Sequence, residues 1–265
     1  MSIYFRNWLM IKDIKDHWDY VHTDQSRTFS KISAFFSWRQ NYEFFSLCKK
    51  YLQEQAYGSI FEIWCAPGNF LISFYKKYWY IPSWIDYSEQ WVSKTKKNFD
   101  EQWIPGNIRQ QDFFNDEFIE NNKEKFDVVF SLWFIEHYDD PSDAIQRHFD
   151  LTKPWWLVII TIPNLHWLNS IFVPKDIIDL HNVGIMNKIS LEKLFSSYTT
   201  LHIERIWGPL NVGLYFYKNK LQEIIRLLIF GVQRIIIDPF LILLYILWIK
   251  LNRNSSPQRI IICKK

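Results

Sequence analysis

From residue 59 the chain alternates short apolar runs with longer amphipathic ones, and this alternation restricts its fold more than any other feature. The runs are SIFEIW (59–64), YIPSWIDY (80–87), NIRQQDFF (107–114), FDVVFSLW (126–133) and LVIITIPN (157–164). Between them lie NFLISFYKKY, SEQWVSKTKKNF and PSDAIQRHFDLT, which read as helices. Strand alternating with helix predicts βαβ units and a mainly parallel sheet, an α/β architecture. At 265 residues the chain holds one such domain with additions.

The additions lie at both ends. Residues 1–56 carry Phe35, Phe36, Tyr42, Phe45 and Leu52 at helical spacing, which predicts a helical N-terminal extension. Residues 57–164 form the alternating half. In the second half, 165–220, a loop-rich stretch precedes a helix at 190–197 introduced by Ser190 and a strand at 199–206. Residues 253–265 end on a last strand, QRIIICKK.

The segment 221–252 between those strands is apolar. Leu221, Ile224, Ile225, Leu228 and Val232 follow helical spacing, and FLILLYILWI (240–249) has no charge. Ten residues fall short of the roughly 20 a membrane span needs, and Asp238-Pro239 interrupt any longer count. Two readings remain: a helical cap over a substrate pocket, or a patch in the bilayer interface with Lys250 and Arg253 at the head groups.

A net charge of +3 with scattered basic residues gives no ground for a nucleic-acid partner. Three separated cysteines, Cys48, Cys65 and Cys263, have no metal spacing and suit a reduced compartment. The N-terminus is interrupted by charges too early for a signal-peptide core, so a cytoplasmic chain is expected, with peripheral attachment to the inner face of the membrane if 221–252 is such a patch.

Five landmarks carry the chemistry. Phe61-Glu62-Ile63-Trp64-Cys65-Ala66-Pro67-Gly68-Asn69 leaves the first strand and opens a helix. About twenty residues on, the second strand ends in Asp86-Tyr87; an acid there suits the two hydroxyls of a ribose, or else caps the next helix. The third strand ends in Asp112-Phe113. The fourth reads Phe126-Asp127-Val128-Val129-Phe130-Ser131-Leu132, followed by Glu136-His137 and Asp140-Pro141. Last comes Leu151-Thr152-Lys153-Pro154 before the fifth strand.

In this order and spacing the landmarks resemble the class I S-adenosylmethionine-dependent methyltransferases, over about residues 57–164. The resemblance implies a Rossmann-like, mainly parallel seven-stranded sheet, with the terminal strand antiparallel between the fifth strand and the 199–206 strand. It implies that Glu62, Trp64, Cys65, Ala66 and Gly68 stand in the loop along the methionine part of S-adenosylmethionine. Asp86 and Tyr87 would meet the ribose, Asp112 and Phe113 bracket the adenine, and Ser131 and Leu132 line the cofactor. The Glu-His pair with Arg39 upstream is similar to the ubiquinone-type O-methyltransferases, where that Arg meets the cofactor carboxylate. Some of those enzymes hold a metal with an earlier acid. That place is Trp133 here, so no metal is carried over.

The activity implied is methyl transfer to a small-molecule or lipid-linked acceptor, at oxygen, with His137 as general base and Glu136 beside it. His166, His181 and Asn182 lie in the stretch that faces substrate in that family. The alternative is a non-catalytic binding or membrane-peripheral protein that keeps the fold behind a blocked loop. A nicotinamide-dependent oxidoreductase would share the acid after the second strand, but not the Glu-His and Lys-Pro landmarks.

Tryptophan stands where the family has glycine. Trp64 takes the first loop glycine, and Trp155-Trp156 take both glycines of the Lys-Pro-Gly-Gly turn. Trp84, Trp133 and Trp207 are similar cases. The chain has 7 Gly and 14 Trp; were about ten of the Trp glycine, the glycine share would reach the usual ~7%. Two readings compete: a degenerate member with a filled pocket, or UGA codons rendered as Trp that the source organism reads as Gly.

Overall fold

The computed structural model describes residues 44–52, 57–64, 67–166, 175–206 and 258–265, with single positions at 170, 173, 228, 232, 236 and 240. Seven strands form one sheet: β1 (Ser59–Ile63), β2 (Ile81–Asp86), β3 (Asn107–Gln110), β4 (Phe126–Leu132), β5 (Thr152–Pro163), β6 (Thr199–Ile206) and β7 (Gln258–Lys264). Helices α1 (Asn69–Tyr78), α2 (Glu89–Glu101), α3 (Asp116–Asn121) and α4 (Ser142–Leu151) connect the first five strands. Two further helices, α5 (Lys175–Ile178) and α6 (Lys188–Leu194), precede β6.

The spatial order is β3-β2-β1-β4-β5-β7-β6. β1 to β5 pair in parallel, and β7 runs antiparallel between β5 and β6, as the resemblance implied. Neighbouring residues on each strand feed opposite cores. Phe61, Val129, Val158 and Ile261 face one, with α3, α4 and α6; Ile60, Val128, Ile159 and Ile262 face the other, with α1, α2 and Phe44, Phe45 and Cys48. Burial on both faces explains why these strands read as unbroken apolar runs.

The start of β4 is tied to both neighbours. The Asp127 carboxylate accepts hydrogen bonds from the Ser59 N–H (2.6 Å) and hydroxyl (2.7 Å) and pairs with Lys153 at 2.8 Å. Burial pushes its pKa up, but the lysine and serine donors outweigh that and hold it below the usual carboxylate value.

Two boundaries differ from expectation. β5 begins at Thr152 rather than 157, because Lys153–Trp156 form a bulge: Phe126 pairs with Thr152, and Val128 with Leu157. The helix before β6 spans 188–194, and its N-cap is Asn187, whose side chain accepts the Ser190 N–H at 2.9 Å. Ser190 therefore lies inside the helix and is not its cap. Most of the N-terminal extension and of 221–252, and so the choice between cap and membrane patch, lies outside the described residues.

Seven described non-glycine residues have positive φ, and five are tryptophan: Trp64 (52°), Trp79 (61°), Trp103 (56°), Trp133 (56°) and Trp155 (71°). Tyr57 and Glu124 are the others. A Cβ in the left-handed region costs about 1–2 kcal/mol per residue, so the five together cost about 5–10 kcal/mol, comparable to the whole stability of many domains. Trp84 and Trp156, by contrast, lie in strands without positive φ.

Candidate active site

The sheet reverses its winding between β1 and β4, and open α/β sheets bind ligands outside the carboxyl ends of strands at such a switch point. Trp64 leaves β1 there and Trp133 leaves β4, their N–H groups donating to Ile85 O (3.3 Å) and Thr161 O (2.9 Å). The Trp64 indole lies edge-on to Phe134 and to His137, each with centroids at 5.4 Å, and 6.1 Å from Tyr87. It therefore fills the crevice between the ends of β1, β2 and β4. Beyond it Gly68, the one described glycine with positive φ, opens α1; a Cβ there would approach Thr95 and Phe99 within 3 Å.

Glu62 is fully buried one pair below the switch point. Asp86 is buried too, and its Oδ1 accepts the Ser88 N–H at 2.8 Å, closing the turn that leads from β2 into α2. Asp112 accepts the Phe114 N–H at 2.9 Å. The Phe113 ring is buried edge-on among Phe114, Phe134 and His148. Ser131 and Leu132 end β4, Leu132 half-buried against the second core. Arg39, Cys65 and Ala66 lie outside the described residues.

A histidine that the sequence did not single out holds Ser131. His148 Nδ1 lies 2.6 Å from Ala144 O, and a carbonyl only accepts, so Nδ1 carries the proton. Nε2 then accepts the Ser131 hydroxyl proton at 2.9 Å. Full burial lowers the His148 pKa to about 4, which keeps the ring neutral.

Glu136 and His137 form a short 3₁₀ turn after β4, both buried. His137 Nδ1 lies 3.1 Å from Leu180 O, so Nδ1 donates and Nε2 is left with its lone pair. Asn182 straps this loop to the turn: its N–H donates to Glu136 O (2.6 Å), its amide to Tyr138 O (3.1 Å) and Asp139 O (2.9 Å). The strap brings the His181 ring to 4.7 Å from His137. Thus His181 and Asn182 join the site, and the Leu180 carbonyl orients His137. Among the described residues neither carboxyl oxygen of Glu136 has a hydrogen-bond partner, and burial raises its pKa well above the ordinary value. His166, at the end of β5, has its pKa lowered by burial and then by Arg259.

Chemically the cluster offers a proton acceptor, His137 Nε2, beside a carboxyl whose burial favours its protonated form. Glu136, His137 and His181 also present ligand atoms within 4.8 Å of one another, close enough to share a cation.

A family model for a methyltransferase domain matches residues 35–210. No curated protein matches the chain significantly. Among solved structures it is similar to geranyl diphosphate C-methyltransferase from Streptomyces coelicolor, with TM-score 0.58 and 11% identity, covering 91% of this chain and 85% of that one. Magnesium protoporphyrin IX methyltransferase from Synechocystis, solved with bound SAH, gives 0.53 and 13%, covering 95% and 93%. The cyclase SpnF gives 0.56 and 11%, covering 85% and 80%. At these identities the structures establish the fold.

S-adenosylmethionine is the methyl donor that this assignment entails, and Asp86, Gly68 and the sheet edge suit it. The side chain written at position 64 does not, because the indole stands in the crevice. With the match running from the N-terminal extension through β6, the chain belongs to the methyltransferase-domain family of S-adenosylmethionine-dependent enzymes.

Proposed function

We propose that the chain methylates a hydroxyl oxygen of a small or lipid-linked acceptor, with His137 as the proton acceptor. The observation that carries this reading is the bond from His137 Nδ1 to Leu180 O, which leaves Nε2 basic at the carboxyl edge of β4. The acceptor oxygen would take the methyl group as the donor's S–CH3 bond breaks with its electron pair going to sulfur, while the O–H proton passes to Nε2. Asn182, by strapping the loop, keeps His137 in that tautomer.

A lipid-like acceptor gains support from 221–252. Its four described positions, Leu228, Val232, Ile236 and Phe240, recur every fourth residue, and each is at least half exposed. Exposed apolar surface of this kind suits a bilayer interface. Among the described residues no helix is long and apolar enough to cross a membrane.

The test is methyl transfer from labelled S-adenosylmethionine to phenolic acceptors with and without a polyprenyl tail, using the chain with glycine at 64. Label should enter a hydroxyl, and His137→Gln should lower kcat by about 10²–10⁴-fold with cofactor affinity unchanged. Transfer to nitrogen or carbon, or full activity in His137→Gln, refutes the reading.

A further inference from the structure

We infer that positions 64, 79, 103, 133 and 155 are glycine in the working protein, the gene's UGA codons there being read as glycine, and that this opens the crevice Trp64 fills. The backbone makes the case before the pocket does. Of the eight tryptophans in the described residues, five adopt the left-handed conformation, which bulky side chains avoid and glycine adopts freely.

Two of the five are helix stop signals. At the end of α2 the Trp103 N–H donates to Asp100 O (3.2 Å) and the Ile104 N–H to Phe99 O (3.1 Å). These are the two bonds of a Schellman motif, with Trp103 at its left-handed position. At the end of α1 the Trp79 N–H donates to Tyr75 O at 2.9 Å, the single bond of the αL motif. Glycine is the usual occupant of both places. Trp155 occupies the bulge of β5 and donates to Lys265 O at 2.9 Å.

These positions separate the two readings of the tryptophans. Decay of a cofactor site would alter residues around the crevice, such as 64 and 133. It would not place the same residue at two helix ends and a bulge, where Trp79, Trp103 and Trp155 point largely into solvent. One residue type replacing one other at unrelated sites is the mark of a decoding rule. With glycine at 64, the space between Tyr87, Phe134 and His137 becomes a cavity at the switch point, the place for a sulfonium nucleoside.

Tandem mass spectrometry of peptides from the protein purified out of its native cells, with the gene sequenced alongside, reads this directly. Glycine at all five positions over UGA codons is expected; tryptophan at any of them, or a UGG codon, overturns the inference. This outcome is independent of which acceptor is methylated or whether the recombinant chain folds. Calorimetric titration of S-adenosylmethionine then compares the five-glycine chain with the chain as written. Binding at least about tenfold tighter to the former is expected, and equal affinity overturns the claim that Trp64 obstructs the site.

Discussion

Replacing Trp103 by glycine isolates the backbone argument from everything in the crevice. The indole is 93% exposed, so removing it costs little burial. Its backbone, at φ 56°, carries the left-handed penalty of about 1–2 kcal/mol. Glycine relieves that penalty but adds unfolded-state entropy worth roughly 0.4–1 kcal/mol. The net expectation for Trp103→Gly is a gain of about 1 kcal/mol, or about 2–4 °C in Tm for a chain of this size. Trp103→Ala keeps a Cβ in the same conformation and should stay within about 0.5 kcal/mol of the parent. Urea unfolding followed by circular dichroism measures both. If alanine stabilises as much as glycine, the gain comes from deleting an exposed indole, and the conformational reasoning fails.

Other expectations follow from the buried groups. His148 has its pKa depressed to about 4 against an ordinary 6.5, so its contribution is complete above pH 6.5 and shrinks as pH falls towards 4, by about 3 kcal/mol over that window. His148→Asn should flatten this part of the pH–stability profile, and an unchanged slope would place the titration elsewhere. Glu136 has its pKa raised, so its stability is present below the ordinary carboxylate pKa and lost as pH rises; Glu136→Gln should therefore stabilise the fold at pH 8 more than at pH 4 in denaturant titrations. Methyl transfer should be insensitive to EDTA; loss of rate restored by a divalent cation would assign Glu136, His137 and His181 to holding that cation. Anionic vesicles should co-sediment with the chain, more weakly after Leu228→Ser and Phe240→Ser, and equal sedimentation would exclude that face.

The strands and the order of landmarks were legible because a sheet buried on both faces leaves continuous apolar runs, and each run stops where a site residue begins. β5 was misplaced at its start because Lys153–Trp156 read as a turn, whereas the chain continues pairing around a bulge. The cap of α6 was a contest between Asn187 and Ser190, two residue types that both cap; Ser190 instead gives its N–H to Asn187. His148 gave only the signal of a histidine on the apolar stripe of α4, which any packed histidine would give. The partners of His137 were hidden because they depend on a loop more than forty residues away, held by Asn182. The tryptophan anomaly was visible in the composition, but only φ separated Trp64, Trp133 and Trp155 from Trp84 and Trp156.

The place of β7 also sets a timetable for synthesis. β6 has β7 as its sole partner in the sheet, and β7 also covers the outer edge of β5. About fifty residues, including 221–252, separate β6 from β7. At ordinary elongation rates the ribosome needs roughly 3–10 s to bridge that interval. Throughout it β5 shows a bare rim and β6 has nothing to dock on, while the apolar segment is emerging. The nascent chain is thus most adhesive just before its sheet can close, and a holdase or a membrane surface would have its greatest effect in that interval.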